Sequence, residues 1–275
     1  MDLPVRGKEV YEAGLAVPPA RMPRLRGARP LKRWRYVGYY GAELMLCVGH
    51  ARIGPVPQRW WAVAEPDGTL REHTTIGRGG VDLGRSGVRV RTDDVRIDLR
   101  LSEGDGVEVL SPAGQSYVWT RKQALVPVSG TVELVGRKRS IDGVAFIDDS
   151  AGYHPRHTSW MWSAGNGRTA DGRAVAWNLV TGVHDAPHDS ERTIWVDGAA
   201  HEVKPVEFAA DLSSITFANG SQLRFSEWSA REEKKNLLLM RSDYRQPFGT
   251  FSGTLPGGLD LVEGYGVMET HDVYW

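Results

Sequence analysis

The stretch VRVRTDDVRIDLRLSEGDGVEVL, Val88 to Leu110, alternates apolar and charged side chains: Val88 and Val90 against Arg89 and Arg91, then Val95, Ile97, Leu99 and Leu101 against Arg96, Asp98 and Arg100. In a strand every second residue points to the same face, so this pattern buries one face and wets the other, as in antiparallel sheet. SYVWTRKQALVPVSGTVELVG, Ser116 to Gly136, continues it. Upstream, from Trp34, the segments RYVGYYG, ELMLCVGHARIG and QRWWAVAEP have strand length, and the turn at Pro66, Asp67 and Gly68 leads into LREHTT. GRGGVDLGRSG, Gly77 to Gly87, follows no clear strand and opens no helix, so it is a weak phosphate-binding candidate and predicts a mobile loop. Downstream, RAVAWNLVTGVH, ERTIWVDG, HEVKPVEF, SSITFANG and QLRFSEW are short strands parted by ADG, VDG and ANG turns, a spacing that predicts a meander closed into a barrel. SAREEKKN, Ser229 to Asn236, reads as one helical turn or a solvated loop. No segment has the helical length of a βαβ crossover, which argues against a parallel nucleotide-binding sheet.

The 275 residues carry 34 basic and 34 acidic side chains, but the balance is uneven. Residues 1–35 hold nine Arg or Lys against three acids, leaving the rest of the chain net acidic, which argues against a nucleic-acid surface. This Pro- and Arg-rich stretch reads as a nucleic-acid or acidic-lipid tail or, favoured because the prolines space out the arginines, as an extended arm with at most a helical turn near Val10 to Ala13 that lies along the acidic body and closes a barrel or covers an edge strand. The single Cys47 lies in the apolar run Leu44 to Val48 and reads as a buried thiol in a reducing, cytoplasmic setting. No window approaches the roughly 18 continuous apolar residues of a membrane span, and the first residues lack the apolar core of a signal peptide. A junction between two β domains is placed at the polar run Arg137 to Asp142, giving an arm 1–35 and domains 36–142 and 143–275.

Chemistry concentrates in FIDDSAGYHPRHTSWMWSAG, Phe146 to Gly165, which reads as strand, turn, strand. Asp148, Asp149, Tyr153, His154 and His157 fall together there, and Trp160 and Trp162 share one face of the following strand. The plainer alternative is a loop corner with turn-capping aspartates and solvated histidines. In the last strand Glu269 and His271 project from one face with Tyr265, a pair suited to general acid/base work, to metal ligation, or to a surface ion pair. The expectation is that this strand meets the Phe146–Gly165 stretch, within hydrogen-bond reach of Asp148, Asp149, Tyr153 or His154, and that burial raises at least one carboxyl pKa. Asn178, opposite in phase to Trp177, needs a buried partner and can orient a ligand or an aspartate; Glu191 or Arg192 can reach the aspartates; Trp160, Trp162 and Trp177 line a pocket or form plain core. For metal, the best set is His154, His157, Glu269 and His271, whose spacing is unlike the zinc signatures; Pro187 spoils the pairing of His184 with His188. No metal, nucleotide, haem or disulfide is therefore expected.

KRWRYVGYYGAELMLCVGHARIGP, DDSAGYHPRHTSWMWSAG, WNLVTGVHD, SERTIWVDG, YRQPFGTFSG and GYGVMETHDVYW, in this order, resemble the family known as domain of unknown function 2804. More distantly, the layout is similar to the tandem lipocalin-like proteins that include carotenoid 1,2-hydratase, tocopherol cyclase and the lipocalin-type Diels-Alderases. The resemblance implies an all-β chain of two lipocalin-like (calycin) antiparallel barrels or half-open sheets, each of eight to ten strands, side by side behind the N-terminal arm, with an apolar pocket in or between them. It also implies acid-catalysed hydration, cyclisation or isomerisation of a hydrophobic small molecule such as an isoprenoid or polyketide, without cofactor. In those relatives acids protonate an alkene and aromatic rings stabilise the cation, and Asp148 and Asp149 hold the comparable position. A non-catalytic carrier of a hydrophobic ligand and a carbohydrate-binding module are the competing expectations.

Overall fold

In the computed structural model, which describes residues 3–77, 79–237 and 240–275, the chain is almost entirely strand. In chain order the strands are β1 (Val5–Arg6), β2 (Leu25–Arg26), β3 (Arg29–Pro30), β4 (Lys32–Tyr40), β5 (Met45–Ile53), β6 (Val56–Ala64), β7 (Leu70–Ile76), β8 (Val81–Leu83), β9 (Gly87–Arg91), β10 (Val95–Leu101), β11 (Val107–Ala113), β12 (Ser116–Leu134), β13 (Arg137–Gly152), β14 (His157–Thr169), β15 (Ala174–Thr181), β16 (Thr193–Val196), β17 (Ala199–Glu202), β18 (Val206–Phe208), β19 (Ser214–Phe217), β20 (Gln222–Leu237), β21 (Met240–Leu255) and β22 (Leu259–Tyr274). One short helix, α1 (Glu9–Glu12), follows β1.

The strands form two large antiparallel sheets wound in the same way. The first runs β7-β6-β5-β4-β13-β12-β10-β9-β8, with β11 also on β12 and β1 on β11; the second runs β17-β16-β15-β14-β22-β21-β20-β19-β18. In each, a four-stranded meander is followed by a second run of strands whose last member pairs with the first, β13 on β4 and β22 on β14. Each sheet thus curls into a half-barrel, open only between its fourth and fifth strands. Three of the four edges there are short, β8 and β18 with three residues each and β17 with four, which limits what another chain can pair with; β7 is longer, at seven residues.

Side-chain phase separates the cores. Val37, Leu46, Val48, Val63, Ala145 and Ile147 point into the first half-barrel with Val88, Val90 and Ile97. Their neighbours Tyr36, Met45, Cys47, Ala62 and Phe146 point out of it and meet Trp162, Ala164, Ala176, Trp195 and Val267 from the second. Val175, Trp177, Leu179 and Met268, in the opposite phase, fill the second half-barrel. Strands buried on both faces carry the long apolar runs seen around Cys47 and Trp177. Tyr36 and Trp162 stand edge-on at 5.6 Å, and Phe146 lies 5.9 Å from Trp162 and 6.3 Å from Trp195. Each such ring, buried, is worth about 1.5–3 kcal/mol, so this seam fixes the two half-barrels side by side.

The polar run Arg137 to Asp142 lies inside β13, which pairs with β12 along its whole length, so the chain leaves the first sheet only after Gly152. A polar stretch on the exposed phase of a long strand looks like a junction in sequence. Gly77 to Gly87 contains β8, with Val81 buried, and Ser229 to Asn236 is part of β20, paired residue by residue with β21. The long partner strand, not local propensity, decides that charged segment. The arm lies along the first sheet: β1 pairs with β11, and Val5, Val10, Val17, Met22 and Leu31 pack on Leu110, Tyr117, Trp119 and Ala151. Among the described residues no helix is long and apolar enough to cross a membrane.

Candidate functional site

Beyond the aromatic seam the facing sheets diverge and leave a cleft of about 180 Å³. Its walls are the outward phases of both sheets: Trp34, Tyr36 and Trp60 from the first, Trp160, Trp162, Tyr244, Glu269 and His271 from the second, with Asp148 and Lys122 at the inner end. Trp60 lies flat across β5 at Gly49, where a Cβ would stand 2.1 Å from the indole.

Pairing of β14 with β22 sets Trp160 opposite His271 and Trp162 opposite Glu269, so the Phe146–Gly165 stretch and the last strand do meet. Glu269 receives three hydrogen bonds from uncharged donors: Trp160 Nε1 at 2.7 Å on Oε1, and Tyr244 OH at 3.1 Å and Gln246 Nε2 at 2.9 Å on Oε2. Burial pushes its pKa up to about 6 against these bonds, with Asp148 adding to the rise. His271 shares a hydrogen bond of 2.9 Å with Ser242 Oγ and stands 4.5 Å from the Trp160 ring; burial lowers its pKa to about 4, so it is uncharged at neutral pH. The Trp275 indole neighbours His271 at 6.4 Å and His154 at 6.3 Å between ring centroids.

Across the cleft Lys122 Nζ donates to Asp148 Oδ1 at 2.6 Å and pairs with Glu191 Oε1 at 3.3 Å, while Trp34 Nε1 donates to Asp148 Oδ2 at 3.3 Å. Burial opposes every charge in this set. It raises Asp148, helped by Glu191; in Glu191 the pull of Lys122 and His184 wins and the pKa falls; in Lys122 the two acids win and the pKa rises. The cluster therefore settles as a Lys122–Glu191 ion pair beside an Asp148 that takes up a proton more readily than usual. Arg231 closes the cleft wall: Nε donates to Glu72 Oε2 at 2.7 Å, tying β20 to β7, and the guanidinium faces the Tyr244 ring at 5.5 Å.

Six of the residues expected at the site line this cleft: Asp148, His154, Trp160, Trp162, Glu269 and His271. Glu269 and His271 share the space with Asp148 and His154, but among the described residues no direct hydrogen bond joins the two groups. The other six lie elsewhere. Asp149, in the opposite phase to Asp148, accepts from Arg35 at 2.8 Å and Arg121 at 3.0 Å in a network with Glu103, so it is a structural acid. Tyr153 anchors the arm by donating to Pro23 O at 2.8 Å. His157 is outside, bonded to Asp272 at 2.9 Å and stacked on Tyr274 at 4.1 Å. Trp177 is core of the second half-barrel and donates to Ser163 Oγ at 3.0 Å. Asn178 positions cleft residues: Oδ1 accepts from Trp162 Nε1 and Nδ2 donates to Glu191 O, both at 2.8 Å. Tyr265 packs beside Trp228 in the seam, 6.4 Å between ring centroids. Lys122, Tyr244 and Arg231 were missed by sequence reasoning. Lys122 and Arg231 are charged residues in segments read as half-buried strand and as helical turn or solvated loop, and Tyr244 stands in a segment given no functional reading; each faces the cleft only because two distant sheets meet there.

Cys47 is fully buried, its pKa pushed up to about 11 by burial, which fits a structural thiol. Among the described residues no three or more His, Cys, Asp or Glu side chains are placed to hold a metal ion.

Two half-barrels of matching strand order in tandem give a lipocalin-like fold, which solved structures share. A candidate AttH from Nitrosomonas europaea matches at TM-score 0.58 and 15% identity, over 94% of this chain and 97% of that one. Kievitone hydratase from Nectria haematococca matches at TM-score 0.56 and 13% identity, over 86% and 88%. At such identities the likeness is one of fold. The family described as Domain of unknown function (DUF2804) matches residues 79–275, and the chain belongs to it. No curated protein sequence matches significantly.

Proposed function

We propose that the protein transforms a hydrophobic small molecule in the inter-sheet cleft by acid catalysis, with Glu269 as the proton donor. The observation that carries this reading is a buried carboxyl among indole rings with a pKa near 6, so that about one molecule in ten holds the proton at pH 7. In the reaction, the Glu269 O–H bond breaks and a C–H bond forms on one carbon of a double bond. The cation left on the other carbon is faced by the rings of Trp60, Trp160 and Trp162, whose π faces attract positive charge. Water then adds and returns a proton to the Glu269 carboxylate, giving hydration. Loss of a neighbouring proton instead gives isomerisation, and attack by the substrate's own hydroxyl or alkene gives cyclisation. Asp148, which lines the same cleft and whose pKa burial raises, would be the second carboxyl to relay the returning proton. The cleft of about 180 Å³ holds the reacting part of the substrate, an alkenyl unit and the ring beside it. The fold shared with a hydratase supports the class of reaction.

A second reading, a non-catalytic carrier, is favoured by the three hydrogen bonds Glu269 already accepts, which would suit a fixed structural carboxylate. The tryptophans line a cleft instead of forming an exposed stacking platform, which disfavours the carbohydrate module. The test is incubation of wild-type protein and Glu269→Gln with a lipid-soluble extract, read by mass spectrometry. A product heavier by one water, or isomeric with its precursor, should appear with wild type alone. A compound bound and recovered unchanged from both proteins would establish the carrier instead.

A further inference from the structure

The inner end of the cleft exposes polar atoms that the protein leaves unmatched. His154, 2% exposed, sits between β13 and β14, and neither ring nitrogen has a hydrogen-bond partner. His184, between β15 and β16, likewise has two buried ring nitrogens without partners. Its backbone φ of 51° lies in the left-handed region, an uncommon conformation for a residue other than glycine and one that clusters at functional sites. The two rings stand 6.1 Å apart and nearly perpendicular. Beside them Glu191 Oε1 is taken by Lys122, and the Thr120 hydroxyl, without a partner of normal geometry itself, faces the same carboxylate. Buried polar groups are nearly always paired, so this many open positions around one cavity point to a guest that fills them.

The chemistry of the guest follows from counting donors and acceptors. Burial keeps both imidazoles uncharged, more strongly for His154, where His184 and Lys32 add to the effect. A neutral imidazole offers one N–H and one lone pair, and the Thr120 hydroxyl can serve the Glu191 carboxylate, so the two rings are left presenting donors and acceptors in equal number. The guest must therefore both donate and accept, as a hydroxyl does. A carboxylate guest would face Glu191 and find Lys122 already committed to Asp148 and Glu191. The ring of Trp34, 4.9 Å from that of His154, gives the end an aromatic wall. We propose that the His154, His184 and Glu191 end of the cleft is a binding subsite for a neutral phenolic ring, the hydroxyl-bearing head of the substrate whose alkene lies at Glu269. This rests on the cleft being the substrate site, as argued above.

The test uses the full chain with histidine labelled in nitrogen-15, titrated with resorcinol, toluene and benzoate. Resorcinol should shift the signals of His154 and His184 and bind about tenfold or more tightly than either other probe, the equivalent of a net hydrogen bond. His184→Phe and His154→Phe should each abolish that preference while toluene still binds. Equal binding of resorcinol and toluene, tighter binding of benzoate, or a preference that survives both substitutions would overturn the proposal. If a variant fails to fold, wild-type His154 and His184 signals that ignore resorcinol overturn it equally. Glu269→Gln should leave resorcinol preference unchanged, so loss of the catalytic reading and loss of this subsite are separately visible.

Discussion

Replacing Glu269 by Gln should change the pH dependence of stability in a defined direction. Glu269 is 9% exposed and its pKa rises from 4.5 to about 6 on folding, chiefly through burial. Between those values the folded protein holds a proton that the unfolded chain has released. The wild type therefore loses stability from this group as pH rises through that window, and the contribution is fully present only below the unfolded pKa. Each pH unit across which only the folded state keeps the proton is worth about 1.4 kcal/mol, so the cost reaches about 2 kcal/mol at pH 7. The amide that replaces the carboxyl does not titrate. It has one acceptor oxygen where the carboxylate has two, so a donor from Trp160 or from Tyr244 and Gln246 is left short, at about 1 kcal/mol. That loss is an offset independent of pH. The stability of the variant minus that of wild type, from urea unfolding at pH 4 to 8, should rise by about 2 kcal/mol between pH 4.5 and 6 and then level off. A difference flat across that range, or one that falls with pH, would refute a raised pKa at Glu269.

His271 has the opposite sign: its pKa is depressed to about 4, so its contribution is complete above the unfolded value of 6.5 and is lost as pH falls towards 4. His271→Gln should flatten acid unfolding by up to about 3 kcal/mol over that window, read from the same urea series. Asp149→Asn should destabilise by about 1–3 kcal/mol by leaving Glu103 as the one carboxylate facing both Arg35 and Arg121, and should leave ligand binding in the cleft unchanged; altered affinity would return Asp149 to the site. Cys47 should resist thiol reagents in the native protein and react only after unfolding; rapid labelling would contradict its burial and its pKa near 11.

The fold was legible because period-two alternation is local. Val88 to Leu101 announces two strands, each with one wet face, and the runs around Cys47 and Trp177 announce strands buried on both. The meeting of Trp160 and Trp162 with Glu269 and His271 could be anticipated because a closing strand needs a partner near the start of its sheet. What sequence did not show was which of two adjacent residues faces the seam. Asp148 and Asp149 differ only in phase, and that phase puts one in the cleft and the other in an arginine network. Lys122 and Arg231 come from distant strands, β12 and β20, and acquire meaning only where the two sheets face each other. The pairing of His184 with His188 was discounted because of Pro187, yet His184, at a backbone φ of 51°, lines the cleft by itself.

Under the proposed mechanism Glu269 delivers a solvent-exchangeable proton to carbon inside the inter-sheet cleft. Turnover of an alkene from the lipid-soluble extract in D2O tests it most directly, with the product examined by mass spectrometry and NMR for deuterium bound to carbon. One non-exchangeable deuterium at the protonated carbon with wild type, and no product with Glu269→Gln, is the predicted result. A product without carbon-bound deuterium, or equal turnover by Glu269→Gln, would contradict the account.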